Sequence, residues 1–185
     1  MTHPLYDFKN FTMLNPDEIR LVWQWRNDEK IRRWMYNDQE IVFENHLTFI
    51  QSLHNNSSKQ YWMIYRKDQP LGVTSIVDIE NGAGEWGYYI EPASHEKSLG
   101  VEFFYHTLQH LFEMVGLEHL YCYTLVSNQR ANALNDLFGF QKLEKSLIIN
   151  GEEKQYYYWK LNKETWMSEI KREKKVLDLL NLIAR

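Results

Sequence analysis

Trp86-Gly87-Tyr88-Tyr89-Ile90-Glu91-Pro92-Ala93-Ser94-His95-Glu96-Lys97-Ser98-Leu99-Gly100 decides the fold. Its first five residues read as a strand, and Glu91-Pro92 stops it because proline brings no N–H to a β-ladder. A polar loop follows. From Val101 to Val115 apolar residues recur at helical spacing, giving a helix of about four turns. Where Ser98, Leu99 and Gly100 lead into it, successive main-chain N–H groups point outward at the positive end of the helix dipole. Such a turn holds pyrophosphate without a particular side chain, and Lys97 stands beside it.

The other elements follow outward from that stretch. Tyr121 to Val126 is a further strand, and Arg130 to Phe138 a short helix stopped at Gly139. Phe140 to Ile149 and Gln155 to Leu161 form a hairpin around Asn150-Gly151, a dipeptide that readily takes the left-handed conformations of a tight turn. Upstream, Tyr61 to Tyr65 and Gly72 to Ile79 are strands separated by Lys67-Asp68-Gln69-Pro70. Asn15-Pro16-Asp17-Glu18 opens a helix whose apolar stripe, Leu21, Val22 and Trp25, continues towards Ile31 and Trp34. Phe43 to Leu53 is a second helix. Glu164 to Ala184 predicts one long terminal helix, with Trp166, Ile170, Leu177, Leu180 and Ile183 along one face. This order makes an α/β protein with a mixed sheet.

A chain of 185 residues forms one domain with a substantial core, without disulfides or metal. A net charge of −4, with acids and bases interspersed, argues against a nucleic-acid binder working through a basic face. The run Lys171-Arg172-Glu173-Lys174-Lys175 reads as a solvated helix face. The single cysteine, Cys122, reads as a buried small residue, and no Cys/His spacing calls for a metal. Met1 to Lys9 has neither the basic segment nor the apolar core of a signal peptide. No apolar run approaches the roughly 20 residues of a membrane span, so a cytoplasmic, non-membrane protein is expected.

Polar and bulky residues gather in the N-terminal helices: Trp25-Arg26-Asn27, Trp34-Met35-Tyr36 and His46-Leu47-Thr48-Phe49. Arg26 offers a planar two-pronged donor for a phosphate, and the aromatics offer faces for a flat base, as a nucleotide-sugar pocket requires.

From Pro92 to Gly100 the spacing resembles the acetyl-CoA loop of the GNAT acetyltransferase superfamily, Arg/Gln-x-x-Gly-x-Gly/Ala. His95 stands for Arg/Gln and Ser98 for the first glycine, while Gly100 is kept. Asn128-Gln129-Arg130-Ala131, continuing through Leu134 to Phe138-Gly139-Phe140, resembles the superfamily's Asn-x-x-Ala…Gly-Phe. That resemblance makes Asn128 a contact of the pantetheine arm and gives Gly139-Phe140 a packing role. It implies acetyl-CoA bound through Tyr88, Tyr89, Ile90, Lys97, Ser98, Leu99, Gly100 and Val101. Where many members carry a tyrosine that protonates the departing thiolate, this chain has Asn135, so the general acid is unassigned.

The N-terminal segments resemble the N-acetyltransferases of the pseudaminic acid pathway, which acetylate the 4-amino group of a UDP-linked dideoxy sugar. Arg-Asn, Trp-Met-Tyr and His-Leu-x-Phe occur there in the same order. The resemblance implies a GNAT-like fold, with a mixed, mostly antiparallel central sheet flanked by helices and an extra C-terminal helix. Residues 1–161 would form the acetyltransferase domain, and 162–185 a helical extension of it. The implied partners are acetyl-CoA and a UDP-linked amino sugar, with no metal, nucleic acid or membrane; a homodimer is the assembly considered. Arg26, Trp34, Met35, Tyr36, His46 and Phe49 would contact the sugar nucleotide. Glu85 is the favoured base, with His46 the other titratable candidate. A ribosomal-protein-type N-terminal acetyltransferase and a non-catalytic acyl-CoA-binding protein are the rival readings.

Overall fold

The computed structural model describes residues 5–94, 99–149 and 152–183, with side chains for all of these except 144–149, 152–153, 172, 174–175 and 181–183. Its seven strands are β1 (Tyr6–Asn10), β2 (Gln60–Arg66), β3 (Gln69–Glu80), β4 (Ala83–Ile90), β5 (His119–Leu125), β6 (Gln141–Ile149) and β7 (Glu152–Asn162). They lie in the hydrogen-bonded order β1-β2-β3-β4-β5-β7-β6. β1–β2, β2–β3, β5–β7 and β6–β7 pair antiparallel, and β4–β5 pair parallel, giving the mixed sheet expected. The parallel register sets Ala83, Gly84 and Glu85 against His119, Leu120 and Tyr121. The helices are α1 (Pro16–Asn27), α2 (Glu29–Arg32), α3 (Phe43–Ser52), α4 (Leu99–Gln109), α5 (Gln129–Leu137), α6 (Lys163–Ser168) and α7 (Lys174–Ile183). Among the described residues, no helix is long and apolar enough to cross a membrane.

The described residues divide into two compact units. One runs to Ile79 and takes in the stretch from Trp86; the other comprises Glu80 to Glu85 and the residues from Leu99 onward. In the first, Asn15 starts α1 as expected: its side chain accepts from the N–H groups of Asp17 and Glu18, and the Glu18 carboxylate accepts the Asn15 N–H at 2.7 Å. Phe11, Val22, Trp25, Ile31, Ile50, Leu53, Met63 and Val73 form the core. Full burial of such a side chain stabilises by about 1.5–3 kcal/mol. The β2–β3 hairpin turns on Lys67 and Asp68, both at positive φ (50° and 60°), the backbone of a tight primed turn. β1 is an addition to the strands read from sequence. It pairs with β2, Tyr6 opposite Arg66, and only Tyr6 of its five residues is buried, so it carries little apolar signal.

In the second unit, Phe103, Phe104, Leu108, Phe112, Leu120, Phe138, Trp159 and Trp166 are almost wholly buried. The helix expected to reach Val115 ends as α-helix at Gln109 and continues through a wider π turn, His110–Met114, with Val115 N–H donating to the His110 carbonyl at 3.0 Å. The single terminal helix is corrected. α6 stops at Ser168, a 3-10 turn spans Ile170–Arg172, and α7 begins at Lys174 after an extended Glu173. The break resets the helical phase. Val176 is buried where an unbroken helix would have turned in Leu177, which is 36% exposed.

Ile170, in the 3-10 turn at the break, packs against Gly139. Gly139 ends α5 at φ +70°, and a Cβ on it would lie 2.4 Å from Ile170 Cδ1, so Ile170 packs into the space the glycine leaves. Gly139→Ala is expected to cost about 2–4 kcal/mol, from a left-handed residue bearing a Cβ plus local overpacking. That corresponds to a fall in Tm of roughly 4–16 °C. Calorimetry of Gly139→Ala and Gly139→Ala/Ile170→Ala checks this: the second substitution should recover the overpacking part only.

Candidate active site

In the first unit, side chains from α1 and α2 strap down the chain between Asn37 and Ile41. Arg26 Nη2 donates to the Asn37 carbonyl at 2.7 Å, and Arg32 Nη1 to the Asp38 carbonyl at 2.9 Å. Trp23 Nε1 and Asn27 Nδ2 both donate to the Ile41 carbonyl, while Asn27 Oδ1 accepts the Ile41 N–H. Asn27 is therefore fully engaged in shaping this loop, which leads towards α3.

Against that frame the two strongest polar candidates converge. Arg26 Nη1 is buried with no hydrogen-bond partner, and so is His46 Nε2. His46 is 5% exposed, on the inner face of α3. Burial holds the His46 pKa below its ordinary value, a hydrogen bond with the Ile19 main chain opposes that, and the nearby Arg26 charge lowers it further. The ring is thus neutral at pH 7, and its free nitrogen is an acceptor. Burial also pulls the Arg26 pKa down, with the Tyr89 and Tyr61 phenols opposing, but guanidinium keeps its charge throughout the physiological range. A buried donor left unpaired costs about 1–3 kcal/mol, more when charged, so the notch offers a charged donor and a neutral acceptor with no partner among the described residues.

Aromatic rings surround it. Tyr61 lies 5.0 Å from Phe49, edge to face, and Phe49 is 6.4 Å from His46. Burial pushes the Tyr89 phenol well above its ordinary value, against the pull of Arg26. Met35 and Phe49 both pack against the core. Trp34 is half-buried with the Arg33 guanidinium 4.8 Å from its ring centre, and Tyr36 is 38% exposed. Arg26, His46 and Phe49 therefore come together with Tyr61 and Tyr89, whereas Tyr36 is exposed to solvent. Because His46 is buried neutral, the unfolded chain binds its proton more readily, and stability is expected to fall as pH drops below about 6.5. Thermal melts from pH 7.5 to 5 should show a shallower loss for His46→Gln.

In the second unit, α4 begins with Leu99 and Gly100, both buried; His95, Lys97 and Ser98 lie outside the described residues. A Cβ on Gly100 would lie 3.2 Å from Leu134 Cδ1 and 4.0 Å from Arg130 Nη2. Bulk there presses first on α5, and Arg130 brings positive charge to the start of α4. Asn128 caps α5, its Oδ1 accepting the Ala131 N–H at 3.3 Å. Sequence reading missed a network beside it. Trp159 Nε1 donates to Thr124 Oγ1 at 2.7 Å, Thr124 donates to Asn132 Oδ1, and Asn132 Nδ2 donates to the Leu125 and Val126 carbonyls at 3.1 Å. The available signal was the spacing of Asn128, Asn132 and Asn135, which places three amides on one side of a short helix.

Asn135 itself is wholly buried, its Nδ2 3.8 Å from Cys122 Sγ and its Oδ1 unpartnered. Burial and the Glu85 charge push the Cys122 thiol up, against the Asn135 amide, so the cysteine is an inert packing residue as expected. Asn135→Ala is expected to change kcat less than about threefold. A loss of about 10²-fold with acetyl-CoA affinity intact would instead mark a role in orienting a proton-donating water. Glu85 ends the parallel register opposite Tyr121, and its charge, after burial, raises the Tyr123 phenol. No group of His, Cys, Asp and Glu among the described residues could hold a metal.

Residues 10–141 match the acetyltransferase (GNAT) domain family. The chain is 32% identical over 150 residues to the acetyltransferase PseH of Campylobacter jejuni, covering 81% of this chain and 89% of that one. The crystal structure of the Campylobacter jejuni N-acetyltransferase PseH in complex with acetyl coenzyme A superposes with a TM-score of 0.67 at 30% identity, over 85% of this chain and 99% of that one. A Vibrio cholerae spermidine N-acetyltransferase bound to CoA and spermine gives a TM-score of 0.78 at 15% identity, over 89% and 99% of the two chains, a likeness of fold alone.

Proposed function

The chain belongs to the GNAT acetyltransferase family, and on that premise we propose that it transfers acetyl from acetyl-CoA to the 4-amino group of UDP-4-amino-4,6-dideoxy-N-acetyl-β-L-altrosamine, a step of pseudaminic acid biosynthesis. The observation that carries the substrate class is the paired notch of Arg26 Nη1 and His46 Nε2, buried and unpartnered amid Phe49, Tyr61 and Tyr89. A phosphate oxygen meets Arg26, a ligand hydroxyl meets His46, and the rings take a flat base. The acetyl-CoA-bound relative supports acetyl-CoA as co-substrate.

Acetyl-CoA supplies an acetyl group already activated as a thioester. The N–H groups of Tyr89 or Ile90 polarise its carbonyl, and the start of α4, with Arg130 close to Gly100, suits its pyrophosphate. Glu85 takes the proton that turns the acceptor ammonium into a nucleophile. As the C–N bond forms and the C–S bond breaks, the thiolate leaves. The nitrogen sheds its second proton as it becomes an amide, and the thiolate, whose thiol has a pKa near 8.5, takes up that proton through water, so Asn135 need not serve. The location in this reading is the cytoplasm, where acetyl-CoA is at hand.

An acceptor panel tests the reading. The enzyme with acetyl-CoA should release CoA rapidly with the UDP-linked amino sugar, and at background rate with an N-terminal ribosomal peptide. Turnover with the peptide alone would move the assignment to N-terminal acetylation. Binding of acetyl-CoA without turnover on either acceptor would leave an acyl-CoA-binding protein.

A further inference from the structure

We propose that Tyr121, Tyr123 and Tyr158, with Glu85, form the seat that draws in the acceptor's ammonium group before it is deprotonated. The inference rests on the reading of an amine acceptor and deepens it, naming the surface that selects an amine over a hydroxyl.

Backbone register puts the four residues on one sheet face. Tyr121 opposes Glu85 across the parallel pair, Tyr123 follows two residues along β5, and Tyr158 opposes Tyr123 across β5–β7. The Tyr121 and Tyr123 rings stand at 86° with centroids 6.5 Å apart, making a corner. Tyr158 fills its side, 4.9 Å from Tyr123 and 5.9 Å from Tyr121, tilted 44° to each. All four residues are half-buried, so they are reachable yet shielded enough for a cation to be felt strongly. Ring faces carry the negative end of the aromatic quadrupole, so three phenols beside a carboxylate form an electron-rich corner suited to an alkylammonium. Lys160, two residues from Tyr158 on β7 and so on the same face, holds its ammonium 5.8 Å from the Tyr158 ring centre. A cavity of about 460 Å³ opens beside the corner, its walls including Ala83, His119, Tyr121, Gln141, Tyr158 and Lys160, with room for the body of a bound molecule.

The chemistry follows. An amine in neutral water arrives mostly protonated. The corner holds the ammonium by its charge, one proton passes to the Glu85 carboxylate, and the neutral amine, no longer favoured by the rings, is released to attack. A hydroxyl acceptor gains none of this.

The test uses the whole protein and tetramethylammonium, a cation that cannot be acetylated, with tert-butanol as a neutral probe of similar size. Saturation-transfer NMR should report tetramethylammonium bound and tert-butanol not. Tyr123→Phe and Tyr158→Phe keep the ring faces and should retain binding, whereas Tyr123→Leu and Tyr158→Leu should weaken it about fivefold or more. No tetramethylammonium binding to the unaltered protein, equal binding of both probes, or leucine variants that bind the cation undiminished would overturn the proposal. The readout involves no nucleotide sugar. Cation binding with no acetylation of the UDP-sugar would therefore uphold the ammonium seat and sink the acceptor assignment alone.

Discussion

Arg26→Ala raises the KM for the UDP-linked amino sugar by roughly 10- to 150-fold and leaves the KM for acetyl-CoA within about twofold. The magnitude is that of one hydrogen bond to a charged group, about 1.5–3 kcal/mol. The selectivity follows from position: Nη2 anchors the Asn37 carbonyl, while the buried Nη1 has no partner of its own. Arg26→Lys does not rescue, because a single ammonium cannot bind the loop and a phosphate with the same fork. Steady-state kinetics with each substrate varied in turn checks this; equal changes in both KM values would remove Arg26 from the nucleotide pocket.

The other large effect is on turnover. Glu85→Gln lowers kcat at neutral pH by about 10²-fold or more, the range for a positioned general base, with acetyl-CoA affinity unchanged. The variant's rate climbs as pH rises, since solvent then deprotonates the amine and the missing carboxylate matters less. A kcat within threefold of the unaltered enzyme at pH 7 would show that the proton goes elsewhere, with His46 the next candidate.

Some of this was legible in the sequence and some was not, for separable reasons. Asn15-Pro16-Asp17-Glu18 gave the start of α1 because its capping box is a local device. Arg26, His46 and Phe49 stood out because polar and bulky aromatic side chains are grouped in the N-terminal helices. Tyr61 and Tyr89 were not grouped with them, since β2 and β4 carry those side chains to Arg26 through tertiary packing that no local spacing encodes. The break between α6 and α7 was equally hidden. Trp166, Ile170, Leu177, Leu180 and Ile183 fit one helical face, yet Ile170 sits in a 3-10 turn and packs against Gly139, a contact that no local spacing encodes. Asn135 could be placed by alignment with a family motif, but its role could not: its amide turns towards Cys122 in the core. β1 went unread because an edge strand with one buried side chain has almost no pattern to read.

Acetyl-CoA labelled at the carbonyl carbon, incubated with the enzyme and UDP-4-amino-4,6-dideoxy-N-acetyl-β-L-altrosamine, shows by heteronuclear NMR which atom receives the acetyl group. The expected product is a new amide whose labelled carbonyl couples to the proton on C4 of the sugar, with one CoA released per amide formed. Label appearing on a sugar oxygen, only as free acetate, or not transferred at all while a peptide N-terminus is acetylated would contradict it.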